Sequence, residues 1–213
     1  MIMWNDHHNL EGKHALMGGS NYHWLNWTDD NFEQRFYSQY ATDMGTALHQ
    51  LASDCIKSGT KLNKSDRHLI NITLYKAGIP YSAFDTESIL LNLMNFVNDS
   101  IGFRMSSEVL LYYSNYCFGT TDAIYFSDRE RILRISDYKS GTIPAHMEQL
   151  MIYAALFCLE YHKHPKDFKI ILRIYQNQQI IEDEANPNDI ENIMNLIVIR
   201  NKQIIEIMER NSR

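Results

Sequence analysis

The N-terminal half of the chain places apolar residues at helical spacing. One helix is predicted to begin at Asp29-Asp30, which could cap it, and to run through Phe36. A second is predicted over residues 43–56, because one of its faces collects the apolar side chains Leu48, Leu51, Ala52, Cys55 and Ile56. Gly59 follows this stripe as a stop signal.

Two more helices are predicted before the pattern changes, over residues 65–77 and 86–101. Polar residues that suit N-caps stand at their starts: Asn63 or Ser65, and Asp85 or Thr86. The first 104 residues are therefore expected to be mainly helical.

The middle of the chain changes to β-branched and aromatic residues with a period of two, which is typical of strands. The predicted elements are strands over 109–113, 120–126 and 132–138, a helix over 145–161, strands over 168–175 and 179–182, and a helix from Pro187 to about residue 208. We expect a single domain of mixed α/β (α+β) class: a helical part (1–104), a central sheet with its helix (105–184) and a C-terminal helix (185–213).

Composition agrees with a globular protein. The chain has 213 residues, of which 45% are hydrophobic and 22% charged. It lacks both an apolar run of about 20 residues and a signal-peptide start, so we expect a cytoplasmic protein that does not contact a membrane. The three cysteines, Cys55, Cys117 and Cys158, favour buried free thiols. They are too few for a four-thiolate cluster, so no iron–sulfur cluster is expected.

The charge is uneven along the chain. The net charge of −6 argues weakly against a dedicated nucleic-acid binder. Residues 57–76 nevertheless carry five basic residues against the single acid Asp66. Lys61, Lys64 and Arg67 in this stretch are candidate contacts to a DNA backbone. The alternative, a set of solvated basic residues, stays open.

Two predicted strands carry carboxylates that a sheet does not favour. Asp122 lies in the second strand and Asp137 near the end of the third. Lys139 follows two positions after Asp137, and alternation places both side chains on one face. A lysine in this position could steady an attacking water and the charge that develops on a phosphate.

A turn over residues 127–130 would set the distance between the two carboxylates. If Phe126 faces Arg131, Asp137 lies opposite Thr120, and Asp122 is its diagonal neighbour, with Cβ atoms about 7–8 Å apart. Such a pair suits one hard cation, Mg²⁺ or Mn²⁺, held between the carboxylates.

Three residues elsewhere could complete this site. Gln149 and Tyr153 are four residues apart and share one face of the predicted helix over 145–161. His49 lies at the edge of the apolar stripe of the second helix, after Gly45, where a neutral imidazole could bind a metal. A merely structural or exposed histidine is the alternative.

Together these residues resemble the PD-(D/E)XK nuclease superfamily, in particular its RecB-like exonuclease branch, which includes the CRISPR adaptation nucleases. The matching segments, in the family's order, are residues 45–49 (G-x-x-x-H), 119–122 (G-x-x-D), 137–141 (beginning D-x-K) and 149–153 (Q-x-x-x-Y). Residues 20–25 resemble the serine-led first helix of that branch. The chain looks most similar to stand-alone phage-type nucleases of this kind.

The resemblance implies a restriction-endonuclease-like αβββαβ core and hydrolysis of DNA phosphodiester bonds that leaves a 5′-phosphate and depends on Mg²⁺ or Mn²⁺. It implies metal binding by His49, Asp122, Asp137 and the carbonyl of Tyr138. It further implies that Lys139 assists the water, with Gln149 and Tyr153 in support. Glu108 on the first strand is a candidate ligand of a second metal.

We therefore expect a metal-dependent DNA nuclease, an exonuclease in recombination, repair or phage DNA processing. Its expected partners are DNA, further copies of the chain, and a recombination or annealing protein. Two alternatives stay open. One is a DNA-end-binding or recruitment module with weak or no cleavage, since aromatic residues make up 12% of the chain and exposed tyrosines often mark interfaces. The other is a nuclease that acts on RNA.

Overall fold

The structure is a computed structural model that describes residues 15–17, 19–141 and 146–211. The chain divides into two compact units, Met1–Thr42 and Asp43–Arg213; the single-domain organisation stays a prediction. Within the described residues, no helix is long and apolar enough to cross a membrane.

The described part of the first unit contains a 3₁₀ helix, Gly19–Asn26, followed by helix α1, Asp29–Ser38. The 3₁₀ helix covers the segment that resembles a serine-led first helix, although the side chain of Ser20 lies outside the described residues. Helix α1 is confirmed, but its cap is Thr28, whose side chain accepts the N–H of Asn31. The two aspartates lie one step further, in the first turn, where negative charge is favoured by the helix dipole.

Three further α-helices lie between α1 and the sheet, as predicted. They are α2 (Ala41–Ser58), α3 (Arg67–Lys76) and α4 (Thr86–Gly102). The start of the predicted helix over 65–77 differs, because Lys64–Asp66 forms a separate 3₁₀ turn that Asn63 caps in a capping box. Asp85 caps α4, and Gly59 after α2 has φ +67°, a conformation that glycine adopts without strain.

A five-stranded mixed sheet forms the centre of the second unit. Its elements are β1 (Ser106–Ser114), β2 (Cys117–Ser127), β3 (Ile132–Lys139), helix α5 (Glu148–Glu160), β4 (Lys169–Gln176), β5 (Gln179–Glu184) and helix α6 (Pro187–Asn211). The spatial order is β1-β2-β3-β4-β5, and β3 and β4 are parallel while the other pairs are antiparallel. The mixed α/β class is confirmed. The predicted start of α5 at residue 145 lies outside the described residues.

The register between β2 and β3 differs from the predicted one by two residues. Phe126 pairs with Leu133, not with Arg131, and Ser127 continues the ladder by pairing with Ile132. The turn therefore covers residues 128–131, and the Ser127 hydroxyl accepts the N–H of Glu130 within it. Extended by one step beyond the last pair, this register places Asp122 directly opposite Asp137.

Both faces of β3 are buried. On one face Leu133 and Ile135 pack with Leu150 and Ala154 of α5 in the main core cluster. On the other face the ring of Tyr138 lies 5.9 Å from that of Phe96 in α4. Because α4 and α5 hold the strand from both sides, the polar residues at its C-terminal end have a fixed position.

Replacing Leu133 by alanine tests this core. Leu133 is fully buried, so Leu133→Ala should lower the free energy of unfolding by about 2–5 kcal/mol. Leu110→Ala, on the exposed edge strand β1, is the matched control and should change it by less than about 0.5 kcal/mol. Urea unfolding followed by circular dichroism measures both variants. Equal losses of unfolding free energy in the two variants would show that the core is not centred on β3.

Candidate active site

Three potential metal ligands from three elements converge beside the C-terminal end of β3. His49 of α2, Glu108 of β1 and Asp122 of β2 each offer one ligand atom, and these atoms lie within 4.8 Å of one another. The Nδ1 of His49 is 3.3 Å from the Oδ1 of Asp122. We call these three residues the ligand cluster.

Glu108 joins the ligand cluster through an unusual backbone conformation. Its φ is +53°, in the left-handed region that a non-glycine residue rarely adopts. The neighbouring pairs Ser107–Ala123 and Val109–Thr121 place Glu108 opposite Asp122, but the ladder is interrupted between them. Such a conformation costs about 1–3 kcal/mol and is typical of functional sites. The structure thus places Glu108 beside His49 and Asp122, in one cluster with the expected metal ligands.

Asp122 also fixes the end of β3. Its Oδ2 accepts the backbone N–H of Tyr138 at 2.8 Å, just beyond the last paired residues of β2 and β3. The ring of Tyr138 is buried and lies edge-on to the imidazole of His49, with centroids 5.6 Å apart. The Tyr138 backbone is therefore beside the ligand cluster, and the metal-binding role of its carbonyl stays a prediction.

Asp137 lies next to the ligand cluster but is engaged with Lys139. Its side chain is buried, and the Lys139 Nζ lies 2.9 Å from Oδ2 and donates to Oδ1 at 3.2 Å. Despite this ion pair, Oδ2 accepts no hydrogen bond of good geometry from the residues that the structure describes. Burial and the charge of Asp122 raise the pKa of Asp137 to about 6, against the opposing effect of Lys139.

The pKa values of two cluster members are also raised. Burial lowers the pKa of His49, but the hydrogen bond to Asp122 and the surrounding carboxylates raise it by more. Burial and the charge of Asp122 raise the pKa of Glu108, while His49 and Lys57 partly oppose this. Without a bound cation, the site therefore retains protons more strongly than isolated side chains would.

Lys139 is held at the other side by α5. Its Nζ donates to Gln149 Oε1 at 2.9 Å, and Gln149 Nε2 donates to the hydroxyl of Tyr153 at 3.1 Å. The ring of Tyr153 packs on Gly119, where an added Cβ would lie 2.8 Å from Tyr153 Cε1. The structure thus brings Lys139, Gln149 and Tyr153 together. It also explains why a glycine stands three residues before Asp122, because a larger residue there would collide with Tyr153.

Asn92 of α4 is a site residue that sequence reasoning missed. Its buried side chain donates to the carbonyl of Lys139 at 3.1 Å and to that of Tyr175 at 3.4 Å. It therefore fixes the ends of β3 and β4 relative to α4. A polar residue on the apolar face of a predicted helix was the available signal, but the sequence did not show what it contacts.

The basic candidates lie in the segment that leads into α3 and at its first residue. Lys61, Lys64 and Arg67 are exposed. The Nε of Arg67 donates to Thr86 Oγ1 at 2.9 Å, at the first residue of α4. Thr86 is six residues, or about 9 Å of helix, before Asn92, which contacts Lys139. The structure thus connects Arg67 to the helix that supports the site.

The raised pKa of Asp137 makes stability depend on pH. Because the folded state binds this proton more tightly, the contribution of Asp137 to stability is complete below about pH 4 and is lost as pH rises through about 6. In metal-free buffer, the free energy of unfolding of Asp137→Asn relative to wild type should therefore rise by about 1 kcal/mol between pH 5 and pH 7.5. Urea titrations at both pH values measure it, with Asp128→Asn on an exposed turn as control. A difference that does not vary with pH would contradict this.

Comparison with known proteins assigns no family. No protein-family model, no curated protein and no solved structure matches the chain. The functional interpretation of the site rests on its own residues and their geometry.

Proposed function

We propose that the protein is a Mg²⁺- or Mn²⁺-dependent DNA nuclease of the PD-(D/E)XK type. The observation that supports this most is the ligand cluster of His49, Glu108 and Asp122 beside the buried Asp137–Lys139 pair. A cation site next to an anchored ammonium group suits phosphodiester hydrolysis, because both stabilise the negative charge that develops on the phosphate.

The donor set fits a hard divalent cation. Two carboxylates and one imidazole form the ligand cluster, and carboxylate oxygens are the ligands that Mg²⁺ and Mn²⁺ favour. The buried carboxylate of Asp137, which is paired with Lys139 beside the ligand cluster, would supply a further ligand oxygen. When bound, such a cation lowers the pKa of a water ligand and polarises a phosphoryl oxygen.

Residues around Lys139 fix the position of its positive charge. Asp137 and Gln149 hold the Lys139 ammonium from two sides, so its position is fixed. There it would orient an attacking water and stabilise the charge that develops on a phosphate. Tyr153 holds Gln149, and Asn92 holds the backbone of Lys139. This preorganisation means that little rearrangement is needed during the reaction.

The topology supports the proposed restriction-endonuclease-like αβββαβ core. Helix α4, strands β1 to β3, helix α5 and strand β4 follow one another in that order, with β3 and β4 parallel. The motifs also lie on matching elements: the histidine on α2, the two aspartates on β2 and β3, and Gln149 on α5. Exonuclease action in DNA recombination, repair or phage DNA processing forms part of this proposal.

A nuclease assay tests the proposal. With linear DNA and Mn²⁺, the wild-type protein should release 5′-phosphorylated products, and Lys139→Ala should slow this about 10²–10³-fold, the usual loss when one stabilising group is removed. Lys169→Ala is the matched control, because Lys169 is also a strand lysine in an ion pair, with Glu184. It should retain wild-type activity.

The same assay separates the alternatives. Faster cleavage of RNA than of DNA would show that the substrate is RNA and not DNA. Tight binding of DNA ends without cleavage in Mg²⁺ or Mn²⁺ would instead favour a recruitment module, and equal activity of Lys139→Ala and wild type would contradict the proposed role of the lysine.

The basic residues within 57–76 lead to a separate prediction about DNA binding. If Lys61, Lys64 and Arg67 contact phosphates, replacing all three by alanine should reduce the slope of log K against log salt by about 2–3, since each phosphate contact contributes about 0.7–0.9. Fluorescence anisotropy in metal-free buffer at several salt concentrations measures the slope. The control replaces Lys163, Lys166 and Lys169, which already pair with acidic residues. An unchanged slope in the first variant would show that its side chains are merely solvated.

A further inference from the structure

The β1–β2 hairpin exposes a group of large apolar side chains. Leu110, Tyr112 and Phe118 are 52%, 44% and 57% exposed. Tyr112 pairs directly with Phe118, and Leu110 pairs with Thr120 in the same ladder. Because directly paired residues share a face of a sheet, these side chains form one continuous surface. We call Leu110, Tyr112 and Phe118 the hairpin platform.

The hairpin platform lies on the same side of the sheet as His49. The intervening residues of β1, Val109, Leu111 and Tyr113, pack into the core with α5, so the platform faces the opposite side. His49 lies against Tyr138, and the ring of Tyr138 faces Phe96 of α4 on that opposite side.

The hairpin platform also lies close to the ligand cluster along the strands. Phe118 is four residues from Asp122 on β2, about 13 Å at the rise of a strand. Tyr112 is four residues from Glu108 on β1. A polymer that binds at the ligand cluster and runs along β1 and β2 would therefore reach the hairpin platform within a few of its repeat units.

Strand addition by a second protein chain is disfavoured here. β1 is an edge strand of the sheet, and an unprotected edge invites pairing. The Tyr112 N–H on this edge, however, already donates to the Glu160 carboxylate of α5 at 2.8 Å. A charged side chain that occupies the edge at the centre of the platform acts against such pairing.

We propose that the hairpin platform stacks on the unpaired bases of single-stranded DNA whose backbone reaches the ligand cluster. This inference rests on the proposed function and specifies its substrate class. Exposed aromatic rings bind bases of any sequence by stacking. In a duplex the base faces are covered by their neighbours, so the platform selects single strands.

Binding of matched oligonucleotides tests the proposal. In metal-free buffer, fluorescence anisotropy compares a labelled 20-nucleotide single strand with the corresponding duplex. Phe118→Ala and Tyr112→Ala should each weaken single-strand binding about 5–100-fold, with less than about a twofold change for the duplex. Phe118→Trp should retain binding, because it keeps an aromatic face. The control is Tyr161→Ala, which removes an aromatic ring of similar exposure (49%) on the C-terminal side of α5.

Hydrolysis of bis(p-nitrophenyl) phosphate in Mn²⁺ separates this inference from the proposed nuclease activity, because the ester has no nucleobases. Platform variants should hydrolyse it at the wild-type rate. A wild-type protein inactive on this ester and on DNA would refute the nuclease proposal, while the binding data would still decide the role of the platform. Single-strand binding that is absent from the wild type, unchanged in the alanine variants or lost equally for the duplex would overturn the inference. A change in self-association alone, measured by sedimentation, would show a protein interface instead.

Discussion

Three carboxylates meet beside the C-terminal end of β3, and their mutual repulsion is the constraint to which the surrounding structure responds. Asp122 lies beside Glu108 and, by the register of the strands, opposite Asp137. Burial and the charge of Asp122 together raise the pKa of both carboxyl groups. A fold keeps such a group together when positive charge balances it. Lys139 supplies part of this charge by direct contact with Asp137, and His49 supplies part when protonated. A divalent cation would satisfy the same requirement while releasing the protons, which joins the stability of the site to its chemistry.

Contacts from β2, α4 and α5 hold these charges in place. The C-terminal end of β3 is fixed from three directions: Asp122 binds the Tyr138 N–H from β2, Asn92 binds the Lys139 carbonyl from α4, and Gln149 binds the Lys139 ammonium from α5. Each contact joins an element that packs on a different side of the strand. Because a displacement of about 1 Å can cost two orders of magnitude in rate, these fixed positions would suit the proposed catalytic role.

Local patterns were sufficient to predict the order of the helices and strands, because apolar periodicity and capping residues are short-range signals. They also predicted that Asp137 and Lys139 share one face of the sheet, since alternation within a single strand is a short-range signal. The predicted register between β2 and β3 was wrong by two residues, because Ser127 extends the ladder and does not belong to the turn. The left-handed conformation of Glu108 and the contact of Asn92 with β3 and β4 depend on residues distant in sequence. No pattern within either segment could reveal them.

In the proposed site, a divalent cation binds where α2, β1 and β2 meet. Anomalous diffraction from a crystal soaked in Mn²⁺ would locate this cation. We expect a single strong peak within about 2.0–2.4 Å of the imidazole of His49 and of the carboxylates of Glu108 and Asp122, with Asp137 beside it. A difference map without such a peak, or manganese bound at a distant surface while these side chains stay as they are, would rule this cation site out.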